Sequence, residues 1–225
     1  MNLPLPIPDW LPRSNTVNLL AGAFLLSALY AAAQRRTLAA VTAYRFNSLA
    51  LGGIALTVAL ATGARHIALA ALLVIAVKGF VIPGLLRRQA LGGGALETEP
   101  YLGVPAGMLV CGALVVIAFS QTRALFGSGV SILASCLPVS VATTLVGLYL
   151  MVSRKQALMQ VVGLVILENA IFLAAVSLTY GMPLVVEMGV LLDLLVGVAL
   201  LGLFVSRIEQ THGTSDTTRL RSLKG

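Results

Sequence analysis

Apolar runs about as long as a bilayer is thick recur along this whole sequence, at residues 16–33, 40–62, 66–86, 104–121, 129–151, 157–180 and 183–205. A hydrocarbon core about 30 Å thick takes roughly 20 residues of helix to cross, and in lipid the backbone must satisfy its own hydrogen bonds. The ten-residue alternation of a barrel strand is not present. The spacing therefore predicts an all-α, polytopic membrane protein of about seven transmembrane helices. With 58% hydrophobic and only 10% charged residues among 225, an ordinary soluble globule is excluded.

A net charge of +7 could point to nucleic acid, but the basic residues sit in short clusters between apolar runs, where they act as topology signals. Counted by alternate sides, Arg35, Arg36, Arg45, Arg87, Arg88, Arg154, Lys155 and the four basic residues after position 205 share one side, against Arg13, Arg65 and Arg123 on the other. The bias puts the C-terminus in the cytoplasm and the N-terminus outside, in the inner (cytoplasmic) membrane. Arg45 is placed at the edge of the second span, snorkelling inward. The first run ends in Ala31-Ala32-Ala33 but is preceded by Asp9 and Arg13 and followed by Arg35-Arg36, so it reads as a retained helix rather than a cleaved signal.

The chain divides into an irregular outer leader at 1–15 and a three-helix part at 16–86. A cytoplasmic loop at 87–103 follows, then a four-helix part at 104–205 and a cytoplasmic tail at 206–225. The loop, with Gly92-Gly93-Gly94, Glu97 and Glu99, is the expected hinge or docking segment. Cys111 and Cys136 both fall inside apolar runs without CxxC spacing, and His66 and His212 form no pair. Neither a disulfide framework nor a metal site is expected.

Three charges lie where charge is least welcome. Lys78, Glu168 and Asp193 each fall near the middle of an apolar run, while Glu187 lies about one turn into the last one. A charged side chain at the bilayer centre costs about 3 kcal/mol on insertion scales, so each needs a partner, a hydrated cavity or neutralisation. Gly189, Asp193 and Gly197 follow an i, i+4, i+8 course that lets a second helix approach the carboxylate. Asn169 follows Glu168 on a different face and can bond a neighbouring helix. Pro83 lacks an N–H and is expected to free the carbonyl of Gly79 beside Lys78, as Pro138 would free that of Ala134. One lysine cannot neutralise three carboxylates, so proton-path stations at Glu168, Asp193 and Glu187 with Lys78 stand beside the plainer reading of a structural ion pair between Lys78 and either Glu168 or Asp193.

The run Arg154-Lys155-Gln156, Gly163-Leu164 and Glu168-Asn169-Ala170-Ile171-Phe172, then Pro183 to Glu187 and Gly189 to Asp193, resembles component E of the hydrogenase 4 complex. This is the membrane subunit family of group 4 nickel–iron hydrogenases and formate hydrogenlyases. Lys78-Gly79-Phe80-Val81-Ile82-Pro83 and Thr211-His212-Gly213-Thr214 are also similar to that family. The last three spans resemble the K subunit of complex I, which carries one mid-membrane glutamate in each of its second and third helices. Asp193 falls at the second of these places and Glu168 one turn after the first.

The resemblance implies a non-catalytic subunit of a hydrogenase-type, complex I-like oxidoreductase, coupling electron transfer to proton or sodium movement. It implies antiporter-like and other membrane subunits and a peripheral hydrogenase arm as partners. Any nickel–iron centre and iron–sulfur clusters would lie in those partners, with no cofactor in this chain. A subunit of a multi-subunit cation/proton antiporter and a purely structural membrane scaffold are the alternatives.

Overall fold

The computed structural model describes residues 15–62, 65–92, 97, 99–125, 136–179, 197 and 202. Among them every named element is helical: α1 (Asn15–Ala33), α2 (Thr37–Thr62), α3 (Arg65–Leu73), a π-helical turn (Val74–Val81), α4 (Ile82–Gly92), α5 (Val104–Leu125), α6 (Cys136–Ser153) and α7 (Ala157–Thr179). Five of these, α1, α2, α5, α6 and α7, are long and apolar enough to cross a membrane. This is a multi-pass membrane protein.

The third apolar run is a continuous helical rod assembled from α3, the π turn and α4. It continues through Arg87 and Arg88 to Gly92 rather than stopping at residue 86. Arginine, glutamine, alanine and leucine are good helix formers, so the charges end the apolar run without ending the helix. Pro138 lies in α6, two residues after the described part of that helix begins. Ala134 lies outside the described residues. So does most of the last run, 183–205, including Glu187, Gly189 and Asp193. Gly197 and Gly202 are described and helical, and Gly202 sits so close to the Gln89 amide that a Cβ there would collide with it.

At one end the chain is tied together by three connections. Arg36 pairs with Glu97 through an isolated bridge and a 3.5 Å ion pair, and Pro100 pairs with Arg154. The Tyr101 N–H donates to the Ser153 carbonyl at 3.0 Å. The buried Arg154 guanidinium donates through Nη2 to the Ala32 carbonyl, satisfying an otherwise open acceptor at the end of α1. Burial draws Arg154 below the ordinary arginine pKa, and nearby Tyr149 and Cys111 partly offset this. Thr37 donates to Gln156 Oε1 at 3.0 Å across the same junction. The α1–α2 turn, the stretch before α5 and the α6–α7 turn thus meet on one side.

α6 and α7 approach most closely where Gly147 faces Gly163. A Cβ on Gly163 would lie 2.9 Å from the Gly147 carbonyl oxygen, and one on Gly147 would lie 2.9 Å from the Leu167 nitrogen. Small residues are what permit backbone-to-backbone packing in lipid, where no hydrophobic force draws helices together. α1 and α2 pack together and against this pair, and the third rod lies along α2.

The apolar interior is split in two. One cluster joins Ala28, Tyr44, Ile82, Leu86, Val146, Val162 and Ile166. The other joins Phe24, Leu51, Ile54, Val74, Val139, Ala170 and Leu173. Each draws on α1, α2, the third rod, α6 and α7, so both are shared between the N-terminal and C-terminal helices.

Candidate functional site

The gap between the two clusters falls at the same level on each of these helices, between Phe24 and Ala28, Tyr44 and Ala50, Val74 and Ile82, Val139 and Val146, and Ile166 and Ala170. Buried polar side chains fill it: Asn47 and Ser48 on α2, Lys78 on the π turn, Ser140 and Thr143 on α6, and Asn169 on α7. A helix crosses one level of the bilayer once, so polar positions that recur at one level form a layer. This one sits about midway along α7, the bilayer level where polar groups are hardest to accommodate.

Glu168 and Asn169 are consecutive and point about 100° apart around α7. Glu168 faces the third rod, where its Oε1 receives the Nζ of Lys78. The Lys78 side chain is fully buried and that of Glu168 is 14% exposed, so the pair is closed on the lysine side and open a little on the other. One turn further along α7, the Phe172 ring lies 5.7 Å from the Lys78 ammonium and covers it.

Asn169 faces α2 instead. Its Nδ2 donates to Asn47 Oδ1 and to Ser48 Oγ, both at 2.9 Å, and Asn47 Nδ2 passes the chain on to the Phe24 carbonyl at 2.9 Å. The buried Tyr44 hydroxyl lies beside Ser48 and within the field of Glu168. α1, α2, the third rod and α7 are therefore joined through one polar layer.

The π turn places Lys78. Ile82 N–H donates to the Val77 carbonyl, five residues back. Continued to the next residue, that register sets Pro83 against the carbonyl of Lys78 itself, rather than that of Gly79 as an ordinary α-helical count predicts. The wider turn and the absent proline N–H loosen the ladder at the one lysine in the layer. Gly79 brings the rod onto α2, where a Cβ would lie 3.1 Å from Leu49 Cδ2.

A lysine and a carboxylate in direct contact away from water have two arrangements with the same number of protons, differing in where one of them sits: ammonium with carboxylate, or amine with acid. The two groups titrate as a unit, and a change of charge nearby shifts the balance between the two forms. Four buried oxygens in or beside the layer, Tyr44 Oη, Glu168 Oε2, Asn169 Oδ1 and Thr143 Oγ1, have no hydrogen-bond partner among the described residues. Buried polar atoms of this kind are where ordered water is held.

Of the residues singled out in the sequence, the structure brings Lys78 and Glu168 together; Asp193 and Glu187 lie outside the described residues. Tyr44, Asn47, Ser48 and Thr143 were not anticipated. An asparagine in the middle of an apolar run is the signal that could have found Asn47, as it did Asn169. Cys111 and Cys136 belong to separate clusters on α5 and α6. Among the described residues, no group of three or more His, Cys, Asp and Glu could hold a metal ion.

Residues 135–225 match the family described as NADH-ubiquinone/plastoquinone oxidoreductase chain 4L. An uncharacterised protein of Mycobacterium tuberculosis is 29% identical over 210 residues, spanning 92% of this chain and 96% of that protein. Hydrogenase-4 component E of Escherichia coli K12 is 28% identical over 216 residues, spanning 94% of this chain and 99% of its own length. The component E of Shigella flexneri matches to the same extent. No solved structure matches. The resemblance that the residues suggested holds along nearly the whole chain, and the part similar to chain 4L contains α6, α7 and the last apolar run.

Proposed function

We propose that this chain, a homologue of hydrogenase-4 component E with a C-terminal part like complex I chain 4L, is a non-catalytic membrane subunit of a hydrogenase-type, complex I-like oxidoreductase. In this role it contributes a proton-transfer layer to coupling. The observation that carries the reading is the Lys78–Glu168 pair, set in a polar layer between two apolar clusters and flanked by buried acceptors without a partner among the described residues. A purely structural tie needs one contact and no spare acceptors. A relay needs a group that holds a proton in either of two forms and neighbours that can bind water.

Glu168 is the station this structure describes best, and Lys78 biases its charge. Asp193 and Glu187 are assigned to the continuation of the path on the last span. A charge change in an adjoining subunit shifts the balance of the pair, and a proton moves toward or away from the layer. The cation carried is a proton or sodium. The nickel–iron centre and iron–sulfur clusters are assigned to partner subunits, since the two cysteines here stand on separate helices.

The topology assigned to the chain is seven spans in the inner membrane, N-terminus outside and C-terminus in the cytoplasm. The third rod and the 183–205 run supply the spans beyond the five long apolar helices. The meeting of the Arg36, Glu97 and Arg154 connections on one side supports the alternation on which this assignment rests. Affinity purification of the tagged chain from its native membrane tests membership directly. Recovery with antiporter-like subunits and a soluble arm containing nickel and iron is expected. Recovery with antiporter subunits alone would transfer the chain to a cation/proton exchanger, and recovery alone would leave a scaffold.

A further inference from the structure

Arg45 and Arg87 line one groove between α2 and α4, with Thr42, Val41, Phe80, Pro83 and Gly84, enclosing about 150 Å³. The Arg45 guanidinium lies 4.7 Å from the centre of the Phe80 ring. Both arginines are exposed, and among the described residues neither has a carboxylate within 4.0 Å, the ion pairs there being Arg36–Glu97 and Lys78–Glu168.

The depth of this groove bears on what would occupy it. Arg45 is two residues from Asn47 of the mid-membrane layer, so its backbone is inside the hydrocarbon region. Arg87 is nine residues beyond Lys78 on the third rod. At 1.5 Å per residue it lies about 13 Å from the layer, near the edge of a core whose half-thickness is about 15 Å. Between them the two guanidiniums run from the headgroup boundary inward. Gln89, which faces Gly202, is about 200° around α4 from Arg87, so the groove is turned away from the last span. The surface around it is apolar, with Phe46, Phe80, Val81 and Leu85 exposed.

We propose that this groove seats the headgroup phosphate of an anionic phospholipid of the adjoining leaflet. Arg87 would hold it at the boundary, Arg45 would draw it inward, and the acyl chains would lie over Phe46, Val81 and Leu85. Guanidinium forks bind phosphate oxygens in pairs, and basic pockets between transmembrane helices near the cytoplasmic face suit anionic headgroups. Gly84, where a Cβ would meet nothing within 4 Å, and the compact Pro83 leave space that larger side chains would fill.

The test uses the full chain in phosphatidylcholine membranes doped with spin-labelled phosphatidylglycerol or spin-labelled phosphatidylcholine, comparing the motionally restricted fraction of each. The wild type is expected to prefer phosphatidylglycerol severalfold. R45Q/R87Q should bring that ratio near one while leaving the phosphatidylcholine fraction unchanged, and R45K/R87K should keep part of the preference. Should the double glutamine variant fail to fold, R87Q alone, at the exposed end of the groove, should still lower the ratio by half or more. Equal association of the two lipids with the wild type would overturn the proposal, as would a preference that survives R45Q/R87Q. So would a wild type without lipid preference whose double variant loses a neighbouring subunit from the assembled complex, because the groove would then belong to a partner's carboxylate.

Discussion

At the scale of single residues, the Lys78–Glu168 pair is defined by what its loss would leave behind. Lys78→Met strands the largely buried Glu168 carboxylate without its cation, and breaking a buried pair from one side costs about 3 kcal/mol. Lys78→Met with Glu168→Leu removes both charges and should recover most of that, measured as thermal unfolding of the purified chain in detergent. Asn169→Leu deletes two interhelical hydrogen bonds to α2, at an expected cost of about 1–2 kcal/mol. A double-mutant cycle with Asn47→Leu should show the two asparagines coupled, and additive effects would mean that the bond between them contributes nothing.

The two charges were legible in the sequence because a charge in an apolar run demands an explanation, but whether Lys78 meets Glu168 or Asp193 was not; the structure places it on Glu168. Ser48 and Thr143 were not legible, because hydroxyls in membrane helices usually turn back onto their own backbone. Ser140, which donates to the Leu137 carbonyl, and Thr144, which donates to that of Ser140, do this here. Such residues leave no signal until the packing shows which of them face one another.

At the scale of helices, the contact between Gly147 and Gly163 has little tolerance, since backbone atoms that cannot move aside, as well as side-chain atoms of Leu167 and Met151, lie where a Cβ would go. Gly163→Ala should cost about 1–3 kcal/mol by forcing α6 and α7 apart. Gly112→Ala on α5, with nothing within 4 Å, should be neutral or slightly stabilising and serves as the control in the same unfolding assay. Among the described residues the positions of the long apolar helices followed from hydrophobic length, but two features did not. The third rod outlasts its apolar run because Arg87 to Leu91 favour helix as strongly as the residues before them. The π register at Lys78 is invisible to an apolar pattern: Pro83 announces a fault in the ladder without saying which carbonyl is left facing it.

At the scale of the whole molecule, the account joins a topology to a task. Arg36 and Glu97 are exposed and paired at the end assigned to the cytoplasm. Cysteines introduced at either position should react with a membrane-impermeant maleimide in inside-out vesicles and be protected in right-side-out spheroplasts; the reverse pattern would invert the topology. The all-helical, multi-span character could be read from the sequence, whereas the gathering of polar side chains from several helices at one level depends on how the helices stack.

The central claim is that this layer moves a proton when the complex turns over. The most direct measurement is the number of protons translocated per electron by vesicles containing the assembled complex with Glu168→Gln, an amide that keeps the shape of the carboxyl but cannot bind or release a proton. The account predicts that subunit composition is retained and the proton-to-electron ratio falls at least severalfold. An unchanged ratio in an intact complex would contradict it and reduce the Lys78–Glu168 pair to a structural tie.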